Sequence, residues 1–244
     1  MLSFRTFLQE SATWATINAY GSRVFATLLP EQQRILLNYA STSFYDINTF
    51  LHQFSSTGAP LTPTAQAWLD DTLARYASDQ RKHYTPASFT RMQMGAQKAL
   101  DACFTHYALP QAVEVMRRVP VTRLFPHGKL SDAAIRAQPN LEAVGSLILR
   151  TLRQQGSKIQ FPQYLSTSMH EVGPEFGSSL SVVLFLHLPA GTPAIPIPNI
   201  YNQAVVESEI VLPRKTTVVF PESKNRRVAL HPTEDVIHLY GIVQ

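Results

Sequence analysis

The most constraining feature of this sequence is a single change of pattern near residue 110. Before it, apolar residues recur at helical spacing; after it, short β-branched and aromatic runs alternate with Gly, Pro and Asn turns. We therefore predict helices in residues 1–108, and short strands with two helices among them from about Ala112 onward. Helices followed by strands are typical of an α+β fold in which helices pack on a β core.

Capping residues locate several of the predicted helices. Thr62 and Thr85 each place a capping hydroxyl before a proline at the first helical position. Beyond residue 110, turn residues separate the apolar runs and set the limits of the elements. The predicted elements there are helices at 131–135 and 141–152 and strands at 113–119, 158–168, 180–188, 205–212, 216–220 and 236–243.

The composition is that of a globular protein, with 45% hydrophobic and 16% charged residues among 244. The formal net charge is +4, but the basic residues are scattered, so no nucleic-acid surface is predicted. The longest apolar run, 182–188, is too short to span a bilayer, so membrane insertion is not expected. Cys103 is the sole cysteine, which excludes an intramolecular disulfide, and we expect it to be buried as a small hydrophobe.

Two carboxylates stand close together in a β-branched run near the C-terminus. Glu207 and Glu209 point to the same face of the predicted strand, because side chains alternate along a strand. Two like charges side by side on such a face are unfavourable unless a cation belongs there. Alone, the pair fits a solvated strand face better than a functional site.

Two further motifs make the pair more informative. Arg117 lies near the end of the strand predicted at 113–119, and Ser166-Thr167-Ser168 follows an aromatic residue on another predicted strand. With the Glu-x-Glu pair, these motifs resemble, in order and spacing, the mono-ADP-ribosyltransferases of the arginine–serine–glutamate class, which includes bacterial toxins and injected effectors. The resemblance runs from about Leu29 to the C-terminus.

The resemblance implies a fold and a co-substrate. It implies a single transferase domain over 29–244, with a helical lobe at 29–110 packed on a β-rich core at 111–244. That core is a mixed β structure of two small sheets, with NAD⁺ held between them and no metal required. Residues 1–28 are then an N-terminal extension, either a helix or a secretion signal.

The resemblance also implies roles for individual residues. Glu209 stabilises the charge that develops on the nicotinamide ribose, and Ser166 orients Glu209 and lines the NAD⁺ site. Arg117 grips the diphosphate, although Arg118 beside it is an alternative ligand. The remaining NAD⁺-site residues implied are Thr167 and Ser168, which support the strand end, and Phe176, whose ring lies against the nicotinamide.

The acceptor and its recognition follow from the same comparison. Glu207 suits an arginine acceptor, because a carboxylate pairs with a guanidinium and withdraws its proton. The segment 196–203 resembles a target-recognition loop, with Tyr201 as its contact residue for a host protein. Modification of threonine or asparagine, weak NAD⁺ hydrolysis and a catalytically inactive binding module remain alternatives.

The N-terminal residues lack the long apolar stretch of a classical export signal. Together with the resemblance, this leads us to expect a bacterial effector that is secreted by another route into the host cytoplasm. A protein that stays in its own cytoplasm is the alternative.

Overall fold

The computed structural model describes residues 4–40, 44–54, 60, 62–79, 83–125, 130–169, 180–197, 209–230 and 236–244. The chain divides into two compact units. One comprises Thr27–His106, and the other comprises Met1–Ala26 with Tyr107–Gln244. The first helix, α1 (Phe4–Thr27), therefore lies almost wholly in the unit that also contains the β-sheet.

The unit of Thr27–His106 is helical with an aromatic core. Thr85 accepts a hydrogen bond from the Ser88 amide at the predicted start of its last helix. Phe50 stacks on Phe54 with ring centroids 4.7 Å apart, and Phe89 is fully buried in the same cluster. The helices in its described residues are α2 (Pro30–Asn38), α3 (Phe44–Gln53), α4 (Pro63–Asp79) and α5 (Pro86–Phe104).

A buried carboxylate joins α3 to α4 in this unit. Asp46 is 6% exposed; Arg75 Nη2 lies 2.9 Å from its Oδ1, and the Tyr76 hydroxyl donates to its Oδ2 at 2.9 Å. Burial, together with this hydrogen bond, raises the pKa of Tyr76 to about 12, because the phenolate would lie beside a carboxylate. Cys103 on α5 is buried as predicted, and burial raises its pKa to about 11.

The other unit carries the sheet. The helices predicted at 131–135 and 141–152 are confirmed as α7 and α8. Its strands are β1 (Val113–Pro120), β2 (Lys158–Gln160), β3 (Leu165–Ser168), β4 (Ser181–Leu188), β5 (Ile195–Pro196), β6 (Glu209–Leu212), β7 (Thr217–Val219), β8 (Ala229–Leu230) and β9 (Val236–Val243). Its helices besides α1 are α6 (Val121–Leu124), α7 (Asp132–Arg136) and α8 (Leu141–Gln154).

The run predicted as one strand at 158–168 is two strands. Pro162 lies between β2 and β3 and has no amide hydrogen to donate to a ladder. Just before it, Phe161 exchanges backbone hydrogen bonds with the turn after β6, accepting from Lys215 at 2.7 Å and donating to Thr216 at 2.9 Å. The interruption lets β2 pair with β7 while β3 pairs with β6.

Within the described residues the strands follow the order β2-β7-β9-β4-β1-β3-β6-β5, with β8 paired to β9. The sheet is mixed, because β4 and β9 are parallel whereas β1 pairs antiparallel with both β4 and β3. Described residues of β1 and β3 meet at one register pair, Met116 with Ser168. The expected two small sheets are thus joined at this pair, and the predicted α+β class with a mixed β core is confirmed.

One core cluster holds this unit together. Ile148 and Leu152 of α8, and Trp14 and Ile17 of α1, belong to the same buried cluster as alternate residues of β1, β4 and β9. This packing fixes the strands that carry the predicted site residues. In the part of the chain that the structure describes, no helix combines the length and apolar character needed to cross a membrane.

Candidate active site

Three predicted site residues lie on adjacent strands where the two parts of the sheet join. Arg117 is on β1, Ser166 on β3 and Glu209 at the start of β6, and β3 lies between the other two strands. All three are partly buried. The sheet order therefore brings together residues from three distant parts of the sequence.

The register of β3 on β6 determines how Ser166 meets Glu209. Ser168 lies directly opposite Glu209, and Ser166 lies opposite Val211, so Ser166 is the diagonal neighbour of Glu209 on the same face. A glutamate side chain is long enough to reach across that diagonal. The Ser166 hydroxyl donates a hydrogen bond to Oε1 of Glu209, which orients the carboxylate.

The Arg117 side chain bonds to the backbone of the same serine. Its Nη1 donates a hydrogen bond to the carbonyl oxygen of Ser166. Ser166 thus contacts the guanidinium with its carbonyl and the carboxylate of Glu209 with its hydroxyl. Arg118, the alternative phosphate ligand, follows on β1 and is also partly buried.

Thr167 faces away from Ser166 and Glu209. Its side chain is 3% exposed, and its hydroxyl donates to the carbonyl oxygen of Ile210 at 2.6 Å. This bond adds to the ladder between β3 and β6. Ser168 is partly buried and lies on the face of Ser166.

The structure adds a neighbour of Glu209 that the sequence analysis did not identify. The amide of Ile197 donates to the carbonyl oxygen of Glu209 at 3.0 Å, just beyond the pairing of β5 with β6. The family resemblance implies a target-recognition loop over 196–203, whereas the structure has a short strand at Ile195–Pro196 where that segment begins. The apolar pair Ile195 and Ile197 around Pro196 was the available signal, since proline is tolerated in an edge strand such as β5.

Three predicted site residues lie outside the described residues. They are Phe176, Tyr201 and Glu207. Within the described ranges, no group of three or more His, Cys, Asp or Glu side chains is arranged to hold a metal ion.

A family model identifies the protein family to which the chain belongs. The family model described as ADP-ribosyltransferase exoenzyme matches residues 16–230. This chain belongs to the ADP-ribosyltransferase exoenzyme family. The match includes most of α1, although the sequence resemblance was placed only from about Leu29, and it contains Arg117, Ser166 and Glu209. No curated protein matches the chain in sequence.

Solved structures of ADP-ribosyltransferase toxins share the fold. Plx2a, an ADP-ribosyltransferase toxin from Paenibacillus larvae, is 16% identical with a TM-score of 0.62, over 97% of this chain and 96% of that one. The Clostridium limosum C3 exoenzyme is 16% identical with a TM-score of 0.57, over 93% and 92%. The ADP-ribosylating toxin BECa of C. perfringens, solved with NADH, is 13% identical with a TM-score of 0.62, over 96% of this chain and 48% of that one.

Proposed function

We propose that this protein is an NAD⁺-dependent mono-ADP-ribosyltransferase of the arginine–serine–glutamate class. It transfers ADP-ribose to a side chain of another protein and releases nicotinamide. The observation that carries the proposal is the bonded chain from Arg117 through Ser166 to Glu209. Membership of the ADP-ribosyltransferase exoenzyme family supports the reaction class, and the NADH bound to BECa supports a nicotinamide dinucleotide as the ligand.

The donor set fits NAD⁺. Arg117 supplies a planar fork of donors suited to diphosphate oxygens. Glu209 supplies an acceptor for a ribose hydroxyl, and Ser166 lines the site between them. All three are partly rather than fully buried, as residues that contact a ligand must be. Ser168 lies on the face of Ser166 and Glu209 and adds a hydroxyl to the polar lining. Phe176 is the proposed ring partner of the nicotinamide.

The chemistry required of the protein is electrostatic. Glu209 stabilises the positive charge that develops on the ribose as the bond to nicotinamide breaks, as a carboxylate does in glycoside hydrolysis. Ser166 holds that carboxylate in place, so little reorganisation is needed during the reaction. Arg117 anchors the diphosphate, which positions the ribose near Glu209. No metal is needed for these roles.

Arginine is the proposed acceptor. Glu207 precedes Glu209 by two residues, and a carboxylate there would pair with a guanidinium and accept its proton as the new bond to ribose forms. Tyr201 is the proposed contact residue for the target. We infer that the target is a host protein and that this protein is a bacterial effector acting in the host cytoplasm.

The decisive experiment incubates labelled NAD⁺ with a eukaryotic lysate and the wild-type protein, Glu209→Gln or Glu222→Gln. Glu209→Gln keeps the shape of the side chain but removes its charge, and we expect the labelling rate to fall by about 100-fold or more. Glu222 is the matched control, because its side chain is 68% exposed and lies on a turn after β7. Mass spectrometry of the labelled protein then identifies the acceptor residue.

Each outcome separates two hypotheses. Label on arginine that is lost in Glu209→Gln and retained in Glu222→Gln supports the full proposal. Label on threonine or asparagine keeps the enzyme but refutes the role given to Glu207, and free ADP-ribose alone indicates NAD⁺ hydrolysis. If wild-type protein gives neither label nor nicotinamide across several lysates, the inactive binding module is the better hypothesis.

A further inference from the structure

Gly21 of α1 lies directly against Pro196 of β5. A Cβ atom built at Gly21 would lie 2.9 Å from Cβ of Pro196 and 3.0 Å from its backbone oxygen. Neither atom is the far end of a flexible side chain, so neither can move without moving β5. Both residues belong to the unit that carries the sheet. The missing side chain of Gly21 therefore allows a helix and a strand to approach closely.

Strand β5, which contains Pro196, pairs with β6, the strand that begins at Glu209. Pro196 pairs with Ile210 of β6, and the next residue, Ile197, donates its amide to the carbonyl oxygen of Glu209 at 3.0 Å. A shift of β5 away from α1 would lengthen or break this bond. Glu209 is the first residue of β6, and its backbone lies between Ser168 of β3 on one side and Ile197 on the other.

The helix itself is held firmly enough to act as a support. Ile17, one turn before Gly21, is fully buried in the main core cluster, and Trp14 lies in the same cluster. The Tyr20 hydroxyl accepts a hydrogen bond from the Ala108 amide at 2.8 Å. The adjacent Leu109 exchanges backbone bonds with the turn at 191–192 that leads into β5, at 2.8 and 3.0 Å.

The close contact with Pro196 explains why a glycine stands inside α1 although glycine is unfavourable in a helix. Glycine destabilises a helix by about 1 kcal/mol relative to alanine. Gly95 of α5 is a second helical glycine, and a Cβ atom there would meet nothing within 4 Å. Gly95 therefore provides a control for helix propensity without close approach.

We propose that Gly21 is a positioning residue, which sets the position of β5 against β6 and thereby the position of Glu209. The inference rests on the proposed transferase function for its catalytic consequence. Its structural consequence, protection of the Ile197 amide from hydrogen exchange by its bond to Glu209 of β6, rests on the structure alone.

The test compares Gly21→Ala with Gly95→Ala by amide hydrogen exchange and by nicotinamide release. We expect the Ile197 amide to exchange about 10-fold faster in Gly21→Ala and at the wild-type rate in Gly95→Ala. We expect kcat for nicotinamide release to fall about 10-fold in Gly21→Ala while KM for NAD⁺ changes less than about 2-fold. A merely structural role would lower the melting temperature and leave kcat of the folded protein unchanged.

The inference would be overturned if Gly21→Ala had the same Ile197 exchange rate and the same kcat as Gly95→Ala. If the wild-type protein releases no nicotinamide, the proposed function fails, yet the exchange measurement still decides the structural consequence. Should Gly21→Ala not fold, the same change is made in a Pro196→Gly background, which removes the nearest carbon atoms. Folding and Ile197 protection retained there support the contact, whereas equal damage in both backgrounds refutes it.

Discussion

Removing the hydroxyl of Ser166 tests whether this residue orients the carboxylate of Glu209. Ser166→Ala deletes the donor to Oε1 and keeps the backbone carbonyl that accepts from Arg117. The substitution thus breaks one of the two bonds made by Ser166 and leaves β3 otherwise intact. We expect Glu209 to become less well positioned without being removed.

The size of the effect follows from the type of bond and its exposure. A hydrogen bond to a charged group contributes about 1.5–3 kcal/mol. Glu209 is partly exposed, so water replaces part of the lost bond and the lower end applies. Since about 1.4 kcal/mol corresponds to a tenfold change in rate, we expect kcat to fall about 10-fold to 30-fold.

The assay is the initial rate of nicotinamide release at saturating NAD⁺, with Ser146→Ala as the matched control. Ser146 is an exposed residue of α8 in the same unit, so Ser146→Ala measures the effect of a serine-to-alanine change away from the candidate site. A kcat for Ser166→Ala within about 2-fold of wild type would refute the role given to Ser166. A large rise in KM with unchanged kcat would instead make it a binding residue only.

Two further predictions concern the diphosphate ligand and the helical unit. Arg117→Lys keeps the charge but loses the fork of donors, so KM for NAD⁺ should rise about 10-fold, and more than in Arg118→Lys; the reverse order would assign the diphosphate to Arg118. The folded-state pKa of Tyr76, about 12, lies above the unfolded value of about 10, so its neutral form contributes stability that is full below about pH 10 and lost as the pH rises toward 12. Ultraviolet titration of the phenol and alkaline unfolding should show this loss, and Tyr76→Phe should remove it.

Much of the secondary structure could be predicted because its signals are local. The cap at Thr85 and the apolar spacing of α8 involve residues within a few positions of one another, and both predictions were confirmed. The alternation along β1 and β9 is equally local. The order of the three motifs likewise pointed to the ADP-ribosyltransferases, and the family model then showed the ADP-ribosyltransferase exoenzyme family.

Other features required the folded chain. The division of 158–168 into β2 and β3 depends on which strand each half pairs with, and Pro162 alone did not predict those partners. The bonds that link Arg117, Ser166 and Glu209 exist because β3 lies between β1 and β6, an order that no local pattern specifies.

The sequence by itself thus determined the fold class, the helix starts and the residue types of the candidate site, because these depend on side-chain periodicity, capping and motif spacing. Only the tertiary structure decided which groups contact Glu209. These are the Ser166 hydroxyl, which donates to its carboxylate, and the Ile197 amide, which donates to its carbonyl oxygen. The contact of Gly21 with Pro196 is the clearest case. In the sequence, Gly21 is an unfavourable residue within a helix. Its role is evident only in the folded chain, where atoms of Pro196 lie 2.9 and 3.0 Å from the position that a Cβ atom at residue 21 would occupy.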